Sequence, residues 1–413
     1  MRTSKKGYSA VFLSFITFII GLIGGFAVIT YFTLPLTEIV NISSTFYSKD
    51  EHKHGNIVTT ESGEVSVHFV ELGNKYTGDC TYIKAGDVDI LIDCGSKASS
   101  VSTVANYLNQ YVTDNILEYV IITHAHQDHY AGFATTTKVN SIFDLFICKN
   151  IITFSQTNQK TASEYIDTNA SSENTVSTLG ITSYASASKT VSTLYKNLIR
   201  EIQDELNATQ GAVHLTVNEV LSTYTNGEIV LDSQNNISIQ FLNSYYYTNK
   251  ASSENDYSVC CMLKHGERNF LFTGDLEEEG EEHLVTLNTL PQVELYKAGH
   301  HGSKTSSSTT LMSVIQPKNV CVCCCAGSAE YTSTNANQFP TQIFINNVAP
   351  YTKNIYVTTL CINYDNDEFT SMNGNIVCIS KETFVVQCSN NNIILKETEW
   401  FKANRTWPTN GVL

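Results

Sequence analysis

The densest set of chemically reactive side chains in this chain is the sequence HAHQDH at residues 124–129, which follows an apolar run. Imidazole nitrogens and carboxylate oxygens are ligands for zinc and for other divalent ions. His124 and His126, two residues apart, can project together from an extended or turning backbone. Asp128 and His129 can then face a second ion beside the first. The segment therefore predicts a metal site at the end of a buried strand.

Two later segments end in similar side chains. Residues 269–276 form an apolar run that ends in Gly274-Asp275. Residues 293–304 form another run, which ends in AGHHGSK with His300 and His301 adjacent. Strand ends hold side chains to within about 0.5 Å, which is what a metal site requires. We therefore expect these two strand ends to converge with HAHQDH.

HAHQDH resembles the HxHxDH motif of the metallo-β-lactamase fold superfamily. The other segments resemble its ComEC-type branch, the hydrolase domain associated with DNA-uptake proteins. In chain order they are Val70–Gly73 with Gly78-Asp79, the LIDCG sequence at 91–95, Asn255 ahead of a strand, Thr273-Gly274-Asp275, and HHGSK at 300–304. Their order and spacing match that branch over most of the chain. The resemblance implies an α/β fold, a four-layer αββα sandwich of two mixed sheets.

Two features depart from the pattern of that branch. Residues 74–77, Asn-Lys-Tyr-Thr, are inserted in the first glycine motif, which leaves the placement of Asp79 open. The histidine that the superfamily places between HxHxDH and Gly-Asp has no clear counterpart. His214 follows a Ser/Thr-rich region, and His265 reads as part of a turn between two strands. The ComEC-type branch generally lacks this histidine, so its absence agrees with the resemblance.

The resemblance implies two bound divalent ions. Their ligands come from the three strand ends: His124 and His126 for the first ion, Asp128, His129 and His300 for the second, and Asp275 as the bridge. Zn²⁺ suits the imidazole-rich set best, and Mn²⁺ is the alternative for the carboxylate-rich second site. Two such ions can lower the pKa of a water molecule between them and hold both the attacking and the leaving oxygen.

Further polar residues are expected around the ions. Four of them are expected to support the ligands: Asp79, Asp93, Asn255 and Ser303. Among these, Asp93 would orient the HxHxDH loop by hydrogen bonds. Three residues are expected to act in catalysis: Asp128, His301 and Lys304. One or more of His301, Ser303 and Lys304 would donate to the developing oxyanion, as cationic groups do in phosphoryl chemistry.

The charge balance limits the choice of substrate. The chain has 40 acidic and 25 basic residues, a net charge of −15, so it offers no broad basic surface for nucleic acid. A local patch around Lys297 and Lys304 could still bind one. The resemblance favours a phosphodiester, as in nucleic acid, as the bond that is cleaved. Hydrolysis of a small ester, thioester or lactam is the alternative, and a non-catalytic surface module that only binds metal is a third.

The N-terminus predicts a membrane anchor. Arg2, Lys5 and Lys6 precede residues 7–37, which contain no charged side chain. Their apolar part is long enough, at about 1.5 Å per residue, to cross a ~30 Å hydrocarbon core. A signal peptide is the alternative, although the flank lacks the usual small residues. The positive-inside rule would keep the N-terminus in the cytoplasm and place the hydrolase outside the cell membrane. The predicted divisions are an anchor at 1–36, a polar linker at 37–62, a hydrolase domain at 63–390 and a C-terminal tail at 391–413.

The elements that must position these residues follow from hydrophobic spacing. Alternation over residues 65–69 predicts a half-buried strand with His68 on its exposed face. Residues 80–92 predict a hairpin, and the apolar spacing over 191–206 predicts an amphipathic helix. The Ser-, Thr- and Asn-rich region 151–190 would lie near the mouth of the site in the resembling fold, or be a plain surface loop. The twelve cysteines are expected to be mostly buried free thiols.

Overall fold

The structure is a computed structural model of the chain. It describes residues 60–158 except 62, 135, 137 and 138, the pair 182–183, and residues 192–413. The predicted membrane anchor, nearly all of the predicted linker and most of the Ser-, Thr- and Asn-rich region lie outside these residues. Within the described part of the chain, no helix combines the length and the apolar character needed to cross a bilayer.

The strands of the described residues fall into two large sheets and one small pair. They are β1 Val65–Phe69, β2 Thr81–Ala85, β3 Val88–Ile92, β4 Ile116–Ile122, β5 Ile147–Thr153, β6 Gln156–Thr157, β7 Thr182–Ser183, β8 Val213–Thr216, β9 Glu228–Asp232, β10 Ile237–Phe241, β11 Cys261–His265, β12 Arg268–Phe272, β13 Leu295–Lys297, β14 Asn319–Ala326, β15 Ile355–Asn363, β16 Glu368–Ser371, β17 Ile376–Ser380 and β18 Phe384–Cys388. The first sheet has the order β18-β17-β1-β2-β3-β4-β5-β8, and the second has the order β16-β15-β14-β13-β12-β11-β10-β9. Both contain parallel and antiparallel pairs, as the prediction of two mixed sheets requires.

The α-helices of the described residues flank these sheets. They are α1 Val101–Leu108, α2 Gln127–Tyr130, α3 Ile142–Leu145, α4 Thr193–Ala208, α5 Val217–Thr223, α6 Glu278–Leu287, α7 Thr309–Ile315, α8 Gln342–Val348 and α9 Glu399–Asn404. The predicted amphipathic helix is confirmed as α4, which begins after Ser192 because the Ser192 side chain accepts a hydrogen bond from the Tyr195 amide.

The two sheets pack face to face around one large hydrophobic core. That core joins side chains of the first sheet, such as Val67 and Ile121, to Phe270, Phe272 and Cys323 of the second. A separate cluster lies on the other face of the second sheet, where α6 to α9 cover it. The predicted α/β architecture of two mixed sheets with helices outside them is therefore confirmed.

Parallel pairing brings the chemically reactive segments to one place. In the first sheet β3 and β4 run parallel, with Ile92 opposite Ile121, so Asp93 and Thr123 leave the same edge. In the second sheet β12, β13 and β14 run parallel, so the residues after Phe272 and after Lys297 also leave one edge together. The Val259 amide donates to the Thr123 carbonyl at 2.9 Å and joins the two sheets there.

The segment predicted as a C-terminal tail is folded onto the second sheet. Leu395 and Phe401 are buried in the outer hydrophobic cluster with α6, α7 and α8. Arg405, just after α9, is 7% exposed. Residues 391–413 are thus packed against the domain that precedes them.

The prediction that His68 lies on an exposed face is wrong. Its strand β1 lies between β17 and β2, and Tyr107 and Tyr111 pack against the imidazole, so His68 is fully buried. Its Nδ1 lies 2.8 Å from the Tyr107 hydroxyl, and its Nε2 lies 2.7 Å from the Ser66 hydroxyl. Burial lowers the pKa of His68 from 6.5 to about 3. The imidazole is therefore neutral in the folded protein at all moderate pH values.

We expect His68 to make the protein less stable as the pH falls. The unfolded chain binds a proton at His68 below pH 6.5, whereas the folded protein resists it down to about pH 3. The free energy of unfolding therefore falls as the pH drops through this range, by about 2 kcal/mol between pH 7 and pH 5. Denaturant unfolding of His68→Gln at both pH values should show a smaller difference than the wild type. Tyr107→Phe, which keeps the imidazole, should keep the full difference; an equal loss in all three proteins would contradict the assignment.

Candidate metal centre

One carboxylate oxygen, Oδ2 of Asp275, is surrounded by imidazoles. Four histidine Nε2 atoms lie near it: His129 at 3.1 Å, His301 at 3.3 Å, His124 at 4.0 Å and His300 at 4.0 Å. Asp275 is 1% exposed, and its other oxygen, Oδ1, has no hydrogen-bond partner. The three strand ends identified in the sequence therefore bring their side chains together around Asp275 Oδ2.

Each of the four imidazoles is held from its far side. The Nδ1 atoms lie next to the Thr123 hydroxyl for His124 (3.1 Å), Asp93 for His129 (2.7 Å), the Thr305 hydroxyl for His300 (3.0 Å) and the Cys323 carbonyl for His301 (2.9 Å). Histidines that bind metals usually have this arrangement, because a partner on one ring nitrogen fixes the tautomer and aims the other. The Nε2 atoms are thus the ones available to a cation.

Asp93 fixes the HxHxDH loop as predicted for a supporting residue. Its carboxylate accepts hydrogen bonds from the amide and the hydroxyl of Thr123, at 2.8 and 2.7 Å, besides its contact with His129. The main chain next to Asp93 also lies close to the HxHxDH loop, since a Cβ at Gly95 would lie 1.5 Å from the Asp128 carbonyl oxygen. Only glycine permits that approach between the LIDCG segment and the HxHxDH loop.

Asp79 lies closer to the centre than predicted. Asp79, His129, Asp275 and His301 each offer one ligand atom, and these atoms all lie within 4.8 Å of one another. The insertion at 74–77 does not displace Asp79, whose amide donates to the Asp128 carbonyl at 3.0 Å. Asp79 therefore belongs with the candidate ligands as well as with their supports.

Lys297 is a buried part of the centre that the sequence did not identify. It ends β13, is 3% exposed, forms an ion pair with Asp79 Oδ2 and lies 3.9 Å from Asp275 Oδ1. The expectation that it contributes to a surface patch for nucleic acid is wrong. A lysine that ends a wholly buried strand needs a carboxylate partner. The position of Lys297 at the end of such a strand was therefore the sequence feature that could have identified it.

The two adjacent histidines differ in their positions. Both have positive φ, 47° for His300 and 55° for His301, which turns their rings in different directions after β13. His301 is 1% exposed and lies 3.4 Å from Asp128 Oδ2, whereas the His300 side chain is 21% exposed. The geometry thus places His301 deeper among the candidate ligands than His300, the residue predicted from spacing.

The centre opens into a cavity of about 420 Å³. His126, Asp128, Asp275, His300 and His301 all line it. His126 Nδ1 lies 3.1 Å from His124 Nε2, which brings the first two histidines together as predicted. The candidate ligands are therefore accessible to a small molecule from one side.

Three predicted residues are not among the candidate ligands, although one of them, Asn255, hydrogen-bonds the His126 side chain. Lys304 is exposed, and its Nζ donates to Asn337 Oδ1 at 3.2 Å, so its predicted contact with the oxyanion is not seen. Ser303 is buried with its hydroxyl 3.1 Å from Thr305 Oγ1. Asn255 is buried and donates to Glu277 Oε1 at 3.1 Å.

The two other candidate histidines also lie elsewhere. His214 Nε2 lies 2.8 Å from the Thr153 hydroxyl at the edge of the first sheet. His265 ends β11 at the hairpin turn that leads to Arg268, as predicted. Neither residue therefore takes the place of the histidine that the superfamily has between HxHxDH and Gly-Asp.

Charges within the centre set opposite pKa directions for its histidines. Burial alone would lower the pKa of His129, but the carboxylates of Asp275 and Asp93 outweigh it and raise the pKa to about 10. Burial lowers the pKa of His124 and of His126. Fewer carboxylates face these two histidines, so the effect of burial is not reversed. For Asp275, burial opposes ionisation, but the neighbouring His129 and His301 hold its pKa well below the usual range. The Asp275 carboxylate therefore stays ionised and attracts cations.

The sequence around this centre matches a known family. Residues 73–139, which include the LIDCG segment and HAHQDH, match the profile of the metallo-beta-lactamase superfamily. The match places a metallo-β-lactamase-like segment at residues 73–139. The resemblance inferred from HAHQDH is therefore confirmed for this part of the chain.

Two curated relatives match parts of this chain. ComE operon protein 3 of Bacillus subtilis is 32% identical over 71 residues, which are 17% of this chain and 9% of that protein. Recombination protein 2 of Haemophilus influenzae is 27% identical over 117 residues, which are 24% of this chain and 14% of that protein. Both matches support the ComEC-type resemblance. This chain spans only a small part of either relative.

Solved structures that align with this chain include a metallo-beta-lactamase fold protein and a metallo hydrolase. The metallo-beta-lactamase fold protein YhfI from Bacillus subtilis is 11% identical, with a TM-score of 0.38, and the alignment covers 72% of this chain and 96% of that one. Igni18, a metallo hydrolase from Ignicoccus hospitalis, is 10% identical, with a TM-score of 0.32, and the alignment covers 77% of this chain and 100% of that one.

Proposed function

We propose that this protein is a hydrolase that uses two divalent ions to cleave phosphodiester bonds. The observation that carries the proposal is the arrangement around Asp275 Oδ2, where four Nε2 atoms converge within 4.0 Å. Four imidazoles aimed at one buried carboxylate oxygen are better suited to holding cations than to a structural role.

The residues present fit two divalent ions. Asp275 Oδ1 is buried without a hydrogen-bond partner, and the neighbouring donors are the nitrogen and oxygen ligands that Zn²⁺ and Mn²⁺ accept. The first ion would be held by His124 and His126. The second would be held by Asp128, His129 and His301, with Asp79 beside them. Asp275 would serve both, and His301 replaces His300 as the ligand because it lies deeper and nearer to Asp128.

The protein's own groups would prepare the substrate for attack. Bound divalent ions supply a nucleophilic water at neutral pH and stabilise charge on the phosphoryl oxygens. Asp93 holds the HxHxDH loop rigid, and Lys297 keeps Asp79 and Asp275 in place. His300, at the cavity and fixed through Thr305, would contact the substrate rather than a metal. Most of the side chains in this group are buried, which strengthens the charge interactions among them.

Two observations favour a phosphodiester over the alternatives. The two curated relatives are ComE operon protein 3 and Recombination protein 2, and the second name together with the ComEC-type resemblance associates this type of domain with nucleic acid. The cavity is also lined by Lys97, which pairs with Glu330 at 3.2 Å and could exchange that partner for a phosphate. Hydrolysis of a small ester, thioester or lactam is the second candidate, because this fold hosts several chemistries.

We also propose that residues 1–36 anchor the protein in the cell membrane, with the hydrolase domain outside the cytoplasm. The uncharged stretch after Arg2, Lys5 and Lys6 supports this proposal. Protease treatment of intact cells, followed by detection of the C-terminal residues, would test it. Protection of those residues from the protease would contradict the proposed orientation.

The activity can be tested with the full-length chain in detergent. We expect two divalent ions per chain, and hydrolysis of bis-p-nitrophenyl phosphate and of DNA that chelation abolishes and Zn²⁺ or Mn²⁺ restores. A lactam and a thioester serve as competing substrates. Metal-dependent turnover of either one, with DNA and RNA both intact, would replace the phosphodiester proposal with the second candidate.

A further inference from the structure

The segment between β14 and α8, residues 327–340, lines the cavity with aromatic side chains, and we call it the cavity loop. We infer that Tyr331 and Phe339 of this loop form a subsite for a nucleobase next to the scissile phosphodiester. This inference rests on the proposed function and narrows its substrate to nucleic acid with an unpaired base at the cleavage site.

The two rings lie between the candidate metal centre and solvent. The Phe339 ring lies 5.9 Å from both His300 and His301, measured between ring centroids, and 5.8 Å from Tyr331. Tyr331 is 56% exposed, yet its hydroxyl donates to Asp128 Oδ2 at 2.7 Å. An exposed ring held this firmly beside a candidate metal ligand presents a fixed flat surface to whatever occupies the cavity.

A nucleobase is the planar group that this surface fits best. Bases stack on tyrosine and phenylalanine irrespective of base identity, because each base has a π-face. A base against Tyr331 would bring its sugar-phosphate towards Asp128, at the edge of the metal centre. Lys97 lines the same cavity and can accompany the phosphate. A small aliphatic ester would use neither the exposed aromatic surface nor the cation.

The cavity loop is tied to the rest of the domain at both ends. Near its start, Glu330 accepts hydrogen bonds from the Thr77 amide at 2.8 Å and from Lys97 Nζ at 3.2 Å. This contact joins the cavity loop to the segment 74–77, whose insertion distinguishes the chain from the ComEC-type pattern. The wall that contains Tyr331 is therefore fixed before any substrate arrives.

The other end of the cavity loop is held by Arg405 from the C-terminal segment. Its guanidinium donates to the carbonyls of Asn335, Gln338 and Pro340, at 3.0, 2.8 and 2.9 Å, and to Asn335 Oδ1 at 2.8 Å. The group also lies 5.0 Å from the Trp400 ring centroid. Arg405 does not line the cavity, so we assign it as a positioning residue that acts through Phe339 and Tyr331.

The base subsite is tested by comparing two substrates of equal charge. One is single-stranded oligothymidylate, and the other is the same sugar-phosphate chain without bases. We expect the wild type to cleave the first with a kcat/KM at least about 10-fold higher, as base–aromatic stacking predicts. Tyr331→Leu should reduce this ratio to near one, whereas Tyr331→Phe, which keeps the ring, should retain it.

Arg405 is tested by a matched pair of arginine variants. Arg268 similarly holds a distant turn through Ser380 and the carbonyls of Lys381 and Glu382. We expect Arg405→Ala to speed amide hydrogen exchange in residues 330–340. The same variant should reduce the ratio of kcat/KM between oligothymidylate and the chain without bases, mainly by raising KM for oligothymidylate. Arg268→Ala should leave both unchanged. Faster exchange without a change in the ratio would show that Arg405 has only a structural role.

The outcomes separate this inference from the proposed function. Cleavage of both substrates at equal rates by the wild type would overturn the base subsite and leave the phosphodiesterase proposal standing. Failure to cleave either one, with turnover of a lactam or thioester, would overturn the proposed function itself. Retention of the ratio in Tyr331→Leu would show that the preference comes from another part of the cavity.

Discussion

Replacement of Asp275 by alanine is expected to reduce hydrolysis by about 10³-fold or more and to remove bound metal. Asp275 Oδ2 is the atom on which four imidazoles converge, so both proposed ions lose a ligand at once. Metal ions contribute several kcal/mol to such reactions, and each 1.36 kcal/mol corresponds to about 10-fold in rate. Metal content after gel filtration and kcat/KM on bis-p-nitrophenyl phosphate would measure the effect.

A second buried aspartate provides the control for this variant. Asp89 is 2% exposed on β3 and bonds Tyr82 and Lys84, away from the candidate ligands. Asp89→Asn should lower stability while leaving metal content at the wild-type value. Full metal content in Asp275→Ala would show that the four imidazoles do not hold ions through this residue.

Replacement of Lys297 by methionine should destabilise the metal-free protein by about 3 kcal/mol or more, the usual cost of leaving a buried charge unpaired. Its ammonium group faces Asp79 and Asp275, both almost fully buried. Without it, two carboxylates repel each other in a region that excludes water. Bound divalent ions would compensate, so added metal should stabilise the variant more than the wild type. Denaturant midpoints with and without Zn²⁺ would measure this difference.

The half-buried pair of Lys84 and Asp89, 2.8 Å apart, offers the matched comparison. Lys84→Met removes an ammonium from a buried aspartate that is not a candidate ligand. Its loss of stability should be the same whether or not metal is added. A Lys297→Met variant that behaves in the same way would exclude a role for Lys297 in the centre.

The three ligand segments could be predicted because each of them is a local pattern, and the fold followed from the family resemblance that those segments carry. Apolar strands have a period and a length, and HAHQDH, Gly274-Asp275 and the histidine pair each follow such a strand directly. Parallel pairing then brings neighbouring strand ends together whatever the loops between them do. These features needed no knowledge of contacts between distant residues.

The residues that the sequence missed depend on such distant contacts. His68 alternates like a surface residue, but β17, more than 300 positions further on, pairs with its strand and completes the sheet around it. Tyr331 lies in a loop, where no periodicity indicates which residues face the cavity. Arg405 reaches that loop from a segment that looks like a tail. The choice between His300 and His301 depends on two left-handed backbone conformations, which spacing alone does not reveal.

The position of β1 has a consequence for how the protein is made. This strand, among the first in the domain, pairs on one side with β2 and on the other with β17, close to the end of the chain. A ribosome must therefore release the chain as far as β17 before the first sheet can be completed, and until then one edge of β1 lacks its neighbour. Such long-range pairing slows folding. A nascent chain would accordingly expose that edge until β17 has been synthesised.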